Sequence, residues 1–267
     1  MHLTTMKTRL ATLRTVLLLS ATLTLGSCST LNYGYLAQSG IQALQAATIT
    51  DAQIQSYVAQ YIAQLDAKSN VLPAKDPYAV RLAKITSGLN SVNGVPLNFK
   101  VYKTKEVNAF ACADGSVRVY TGLMDIMTDE QILGVIGHEI GHVALKHSKK
   151  QLQSAMLANA AMIGVAATSQ TAATLTQSGL GAVGEALFNA SHSRKQETEA
   201  DDYAYNFLKE NGKSPVYLMN GLQKLQSLEA SSTRAGSPVN QLFSSHPEIS
   251  NRVARVQTRL ISEGYLK

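Results

Sequence analysis

Apolar residues recur at helical spacing in two long stretches of this chain and alternate with polar ones in shorter stretches between them. From Thr50 to Lys68 the stripe runs through Ile54, Tyr57, Val58, Tyr61, Ile62 and Leu65, behind a capping box pairing Thr50 with Gln53. A second box has Thr128 as N-cap and Gln131 reaching back. It opens a helix with an apolar face of Ile132, Leu133, Val135, Ile136, Ile140, Val143 and Leu145. Lys146, Lys149 and Lys150 suit the C-terminal end of that helix. Between the two, Asp76-Pro77 predicts a helix to about Leu89, with proline at its first position. Leu97–Tyr102 and Val107–Cys112 read as strands, and Asp114-Gly115 as a hairpin turn into Ser116–Tyr120. Residues 31–47 read as a tether and a first helix. Further helices are expected at about Lys195–Glu210, Pro215–Leu228 and Pro247–Glu263, with a Gly/Pro/Ser-rich loop at Ser231–Ser245 that delivers His246. Ala155–Ala190 is rich in Ala, Ser, Thr and Gly and has too few large apolar residues for a membrane span. Closely packed helices or a mobile flap remain open there.

The N-terminus carries a different pattern. Lys7, Arg9 and Arg14 precede a short apolar run, Val16 to Leu25, too short to span a bilayer; together they read as a signal peptide. The small residues before Cys28 resemble a lipobox, after which the cysteine is acylated and becomes the first residue; the alternative is a signal peptide cut elsewhere. Two or more acyl chains anchor stably, and Ser29 after the cysteine implies the outer membrane by the enterobacterial sorting rule. The expected organisation is a signal peptide over 1–27, a lipidated N-terminus and leading helices over 28–75, and the main folded domain over 76–267. Removing residues 1–27 takes away three positive charges and no negative ones, so the formal net charge falls from +6 to +3. The basic balance is then largely a targeting feature, and no basic block interleaved with aromatics suggests nucleic acid. Cys112 is the other cysteine, so no intramolecular disulfide is available once Cys28 is lipidated; a buried thiol is the expected state. The remaining 240 residues suit one domain with a sizeable core, and no internal repeat is evident.

On the second amphipathic helix stands His138-Glu139-Ile140-Gly141-His142. Histidines four apart lie about 40° apart around the axis, so both imidazoles leave one face and can grip one cation. Glu139 is the adjacent carboxylate, placed to take a proton from the attacking water. A catalytic zinc keeps three protein ligands and an open position. The metzincin spacing is excluded by Leu145 and Ser148, and His147 falls on another face. Downstream, Glu197 and Asp201 are one helical turn apart. That spacing allows Glu197 to bind the metal while Asp201 accepts the outer N–H of a ligand histidine; a solvated acidic turn is the other reading.

The pair of motifs, His-Glu-x-x-His and then Glu197-Thr198-Glu199-Ala200-Asp201, resembles the metallopeptidase family of the CAAX prenyl proteases, the HtpX-type heat-shock proteases and the Oma-type mitochondrial proteases. The stretches Asn108-Ala109-Phe110-Ala111 and Val117–Leu123 match as well, as do Ser245-His246-Pro247 and Arg252. The likeness runs from roughly Asp76 to the C-terminus. Lacking multiple membrane spans, the chain is most similar to the small periplasmic lipoprotein peptidases of Gram-negative bacteria. The resemblance implies an α+β, mainly helical zincin (gluzincin) fold with a small antiparallel sheet beside the zinc helix. It implies one Zn²⁺ per chain on His138, His142 and Glu197, with Asp201 and Arg252 behind the ligands. Glu139 is then the general base and His246 the oxyanion donor, or, in a plainer reading, a turn residue before a helix. From its place before a hairpin and just ahead of the zinc helix, Asn108–Ala111 is expected to pair with an extended substrate, unfolded or misfolded envelope proteins; an ordinary internal strand is the other reading. The competing function is a zinc-stabilised chaperone or assembly factor that works with outer-membrane assembly proteins and cuts secondarily.

Overall fold

A computed structural model of the chain describes residues 33–166, 191–231 and 240–267. The signal peptide, Cys28 and residues 167–190 lie outside the described residues. The elements are α1 (Tyr33–Thr48), α2 (Asp51–Lys68), α3 (Pro77–Ile85), β1 (Ser91–Val92), β2 (Val95–Pro96), β3 (Asn98–Tyr102), β4 (Ala109–Ala111), β5 (Ser116–Tyr120), α4 (Thr121–Ile126), α5 (Asp129–Ala144), α6 (His147–Ala166), α7 (Arg194–Glu210), α8 (Val216–Ser231), α9 (Asn240–Ser245) and α10 (Ile249–Ser262). The contacts divide them into two compact units. One holds residues 33–47 with 156–166; the other runs over 48–155 and the described residues from 191 onward. Within the first unit, Ser39 Oγ donates to the carbonyl of Ala160 at 2.7 Å and Asn159 Nδ2 to Gln42 Oε1 at 2.9 Å.

Both expected capping boxes are present, Thr50 with Gln53 and Thr128 with Gln131. Asp76 caps α3 with Pro77 behind it, but the helix stops at Ile85 rather than near Leu89. There the Thr86 hydroxyl bonds the carbonyl of Leu82, and Gly88 takes a left-handed φ of 87°. Asn93-Gly94 closes the short β1–β2 hairpin, which the periodicity does not predict.

The larger sheet has the order β3-β5-β4. It is mixed rather than antiparallel throughout. β4 and β5 form the expected hairpin around Asp114-Gly115, but β3 joins β5 in parallel, with Asn98 opposite Ser116 and Tyr102 opposite Tyr120. The physical reason is that β5 inserts between two strands adjacent in sequence, a pairing set by burial. All five β5 residues are buried, so the strand is covered on both faces. Its Arg118 is satisfied by Asp66 of α2, through Nε–Oδ1 at 2.8 Å and Nη2–Oδ2 at 3.0 Å, and Lys100 and Tyr102 bind the same carboxylate. α2 is thereby tied to the sheet.

α5 is the centre of the second unit. Every residue from Ile132 to Ala144 is buried, beneath α7, α8 and the sheet. A Cβ on Gly134 would meet the backbone oxygen of Tyr217 at 2.5 Å, and one on Gly141 that of Ala200 at 2.9 Å. These two glycines let α8 and α7 approach the α5 backbone. The loop expected at Ser231–Ser245 ends as a helix, α9, which carries the chain to His246. Among the described residues, no helix is long and apolar enough to cross a membrane.

Candidate metal centre

Two helices supply the site. The Thr128 box sets the start of α5, and three turns later His138 and His142 leave one face. Their Nε2 atoms are 3.0 Å apart. α7 begins with a capping box of its own, Ser193 with Gln196, which puts Glu197 in its first turn and Asp201 one turn on. With Gly141 bare, α7 lies close enough for both carboxylates to meet the histidines. Glu197 Oε1 is 3.4 Å from His142 Nε2, and Asp201 Oδ1 is 2.9 Å from His138 Nδ1. His138, His142, Glu197 and His246 each offer a ligand atom, and all four atoms lie within 4.8 Å of one another.

These side chains fit a metal ion for a reason visible in their bonds. Asp201 accepts a hydrogen bond from Nδ1–H of His138, and His142 Nδ1 has a partner of its own in His147 at 2.8 Å. Both Nε2 atoms are then left with lone pairs facing each other and Glu197, an arrangement that a cation resolves. The negative charge of Glu197 and Asp201 also makes this point attractive to any positive charge, a proton on His138 included. Burial and the Arg252 charge oppose protonation of His138, yet Glu197 and Asp201 outweigh them and its pKa is pushed up to about 9. Burial holds His142 well below its ordinary value. Burial opposes ionisation of Glu197 and Asp201, but the neighbouring cations prevail and hold both below the usual carboxylate range.

Arg252 is buried and anchors the carboxylates. Its Nη1 lies 2.5 Å from Glu197 Oε2, and its Nη2 and Nε donate to Asp201 at 2.7 and 2.9 Å. Its support therefore goes to α7 rather than to the loop before His246. His246 Nδ1 is 3.2 Å from Glu197 Oε1, and its Nε2 is 3.6 Å from Glu139 Oε1. Glu139 opens on a cleft of about 80 Å³, bounded by Asn108–Ala111, Cys112, His142, His192 and His246, with Tyr57 and Tyr61 of α2 beside them. The four residues expected to line up with substrate are thus brought to Glu139, Asn108 just before β4 and Ala109–Ala111 on it, at one end of the strand order. Burial pushes the Cys112 thiol up, so it faces the cleft as a neutral group. Arg194 is exposed and pairs with Glu248 at 2.7 Å.

Two residues that sequence reasoning passed over belong to this neighbourhood. His147 does not fall on another face. The helix ends at Ala144, Lys146 takes a left-handed φ of 56°, and the turn swings the His147 ring onto His142. His192 stacks on the His142 ring, centroids 3.7 Å apart, and its backbone N–H donates to the carbonyl of Ser245. Burial lowers its pKa to about 3. Its place immediately before the Ser193 cap was the only signal for it.

A family model described as Peptidase family M48 matches residues 80–260. The chain is similar to the metalloprotease LoiP of Escherichia coli (strain K12), 40% identical over 92% of this chain and 96% of that protein. It is also similar to the metalloprotease YcaL of the same organism, 41% identical over 84% and 86%. Likeness to the beta-barrel assembly-enhancing protease of Yersinia pestis is weaker, 26% identical over 74% of this chain and 42% of that one. Among solved structures, that of Ste24p from S. mikatae matches with 19% identity and a TM-score of 0.49, over 77% of this chain and 55% of that chain.

Proposed function

We propose that this chain, which belongs to peptidase family M48 and is a metalloprotease, is a zinc endopeptidase that cuts unfolded or misassembled proteins of the bacterial envelope. One observation carries the reading: His138, His142 and Glu197 converge on one point next to Glu139. Two imidazoles and a carboxylate are a zinc donor set. When bound, zinc polarises the scissile carbonyl and lowers the pKa of water from about 16 towards 7. Glu139 takes the proton of the attacking water and returns it to the leaving amine. His246, across the cleft, donates to the oxygen that gains charge. Asp201 keeps His138 in one tautomer, and Arg252 holds Asp201 and Glu197 in place. An extended substrate lies beside β4, so recognition runs through backbone groups and favours unfolded chains.

The envelope assignment rests on the N-terminal pattern, with Cys28 as a lipid anchor on the periplasmic face of the outer membrane. A relative named a beta-barrel assembly-enhancing protease supports clients or partners in outer-membrane assembly. The test is cleavage of casein by the purified chain. Glu139→Gln is expected to keep metal and fold and to lose about 100-fold or more in rate; His246→Ala is expected to lower kcat more than it changes KM. Wild-type rates in Glu139→Gln would sink the mechanism. In cells, proteins that accumulate in membranes carrying Glu139→Gln identify the substrates, and Cys28→Ala should release the protein from the membrane fraction. Retention of Cys28→Ala there would refute the anchor.

A further inference from the structure

A histidine that binds metal through one ring nitrogen needs an acceptor at the other, which settles the tautomer and stops the ring from rotating. For His138 that acceptor is Asp201. For His142 no carboxylate occupies the place. His147 Nδ1 lies 2.8 Å from His142 Nδ1, and His147 Nε2 lies 3.1 Å from Glu199 Oε2. We propose that His147 and Glu199 form a positioning relay for His142, in which His142 Nδ1–H donates to His147 Nδ1 and His147 Nε2–H donates to Glu199. The inference rests on the reading of His142 as a metal ligand.

One arrangement of protons satisfies every atom in this line. With Nε2 of His142 committed to the metal, its only proton is on Nδ1. His147 must then accept at Nδ1, so its own proton is on Nε2, where a carboxylate waits. The His147 ring is fully buried, so its two nitrogens are shielded from solvent. Glu199 is the exposed end, with Lys195 3.7 Å from its other oxygen. The backbone is built for the contact: α5 stops at Ala144, and the left-handed Lys146 that turns the chain is held by Asp51, which also binds Lys149 at 2.7 Å.

The same rings invite another reading, because His142, His147 and His192 also place ligand atoms within 4.8 Å of one another. Their remaining nitrogens argue against a second ion. His147 Nε2 is bonded to Glu199 and His192 Nδ1 to Gln151, and His192 lies face-on over His142. A metal would need edges, not faces.

The experiment measures zinc content and zinc affinity of the purified full chain by competition with a chromogenic chelator. The wild type is expected to hold one zinc and His142→Ala to lose it. His147→Ala should keep its circular dichroism but bind zinc about 10–100-fold more weakly. In His147→Asn an amide oxygen can take the place of Nδ1, and affinity should return to within roughly threefold of wild type. Glu199→Ala, at a position exposed enough to tolerate the change, should weaken binding about three- to tenfold. If His147→Ala fails to fold, the Glu199→Ala result decides. Wild-type affinity in His147→Ala or Glu199→Ala overturns the relay alone, as does an Asn variant no better than Ala. Two zinc ions in the wild type and one in His147→Ala would replace the relay with a second metal site. Retention of zinc by His142→Ala overturns the ligand reading itself.

Discussion

Glu197 and Glu199 stand two residues apart on one helix, roughly 200° around its axis, and their surroundings divide their work. Glu197 is buried against His142 and Arg252, while Glu199 reaches outward to His147 and Lys195. Glu197→Ala is therefore expected to lose most bound zinc. Glu199→Ala should keep it as purified, since weaker positioning lowers affinity without removing a donor. Metal analysis giving the opposite order would transfer the ligand role. The two glutamates look alike in sequence; the difference comes from what α5 presents to each. Arg252 makes the same point, because its side chain crosses to α7 and leaves the adjoining loop to other contacts.

At the scale of elements, the centre depends on how closely α7 sits on α5. Gly141 and Gly137 occupy one face of α5, yet only Gly141 is at a backbone approach. A Cβ there would be 2.9 Å from the Ala200 oxygen and 3.1 Å from its Cα, whereas one on Gly137 would first meet the Phe207 ring at 3.4 Å. Gly141→Ala must push back the stretch of α7 that carries Glu197 and Asp201, and is expected to cost about 1–3 kcal/mol and to weaken zinc binding. Gly137→Ala should be neutral or gain up to about 1 kcal/mol from reduced backbone freedom. Thermal melting of the two variants checks the contrast, and equal effects would refute it.

For the molecule as a whole, the tie between α2 and the sheet is a partly buried charge cluster around the buried Arg118. Burial opposes ionisation of Asp66, but Arg118, Lys100 and Tyr102 outweigh it and hold its pKa below the ordinary 3.8. A folded-state pKa that is depressed gives stability that is present above the unfolded value and lost as pH falls. The contribution should be complete above about pH 5 and decline on acidification below about pH 4. Asp66→Asn removes it at every pH and leaves Arg118, 2% exposed, without its counter-charge, at a cost of about 3–5 kcal/mol. In urea unfolding, the stability difference between wild type and variant should narrow as pH falls from 7 to 3; a constant difference would refute the assignment. Because α2 also brings Tyr57 and Tyr61 to the cleft, loss of this tie is felt at the site.

The sequence by itself determined what is local. The Thr50 and Thr128 capping boxes, the hairpin at Asp114-Gly115 and the pairing of His138 with His142 all follow from spacing within a turn or two, where backbone geometry leaves one outcome. Glu197 and Asp201 were legible for the same reason, as one turn of a second helix. Tertiary structure decided whatever depended on a partner far along the chain. β5 chose β3 as a parallel neighbour because both of its faces are buried. Arg252 was drawn to α7 by two buried carboxylates whose charge it compensates. His147 came onto His142 because the helix ended at Ala144, three residues before it, and Lys146 turned left-handed, which no period in the sequence encodes.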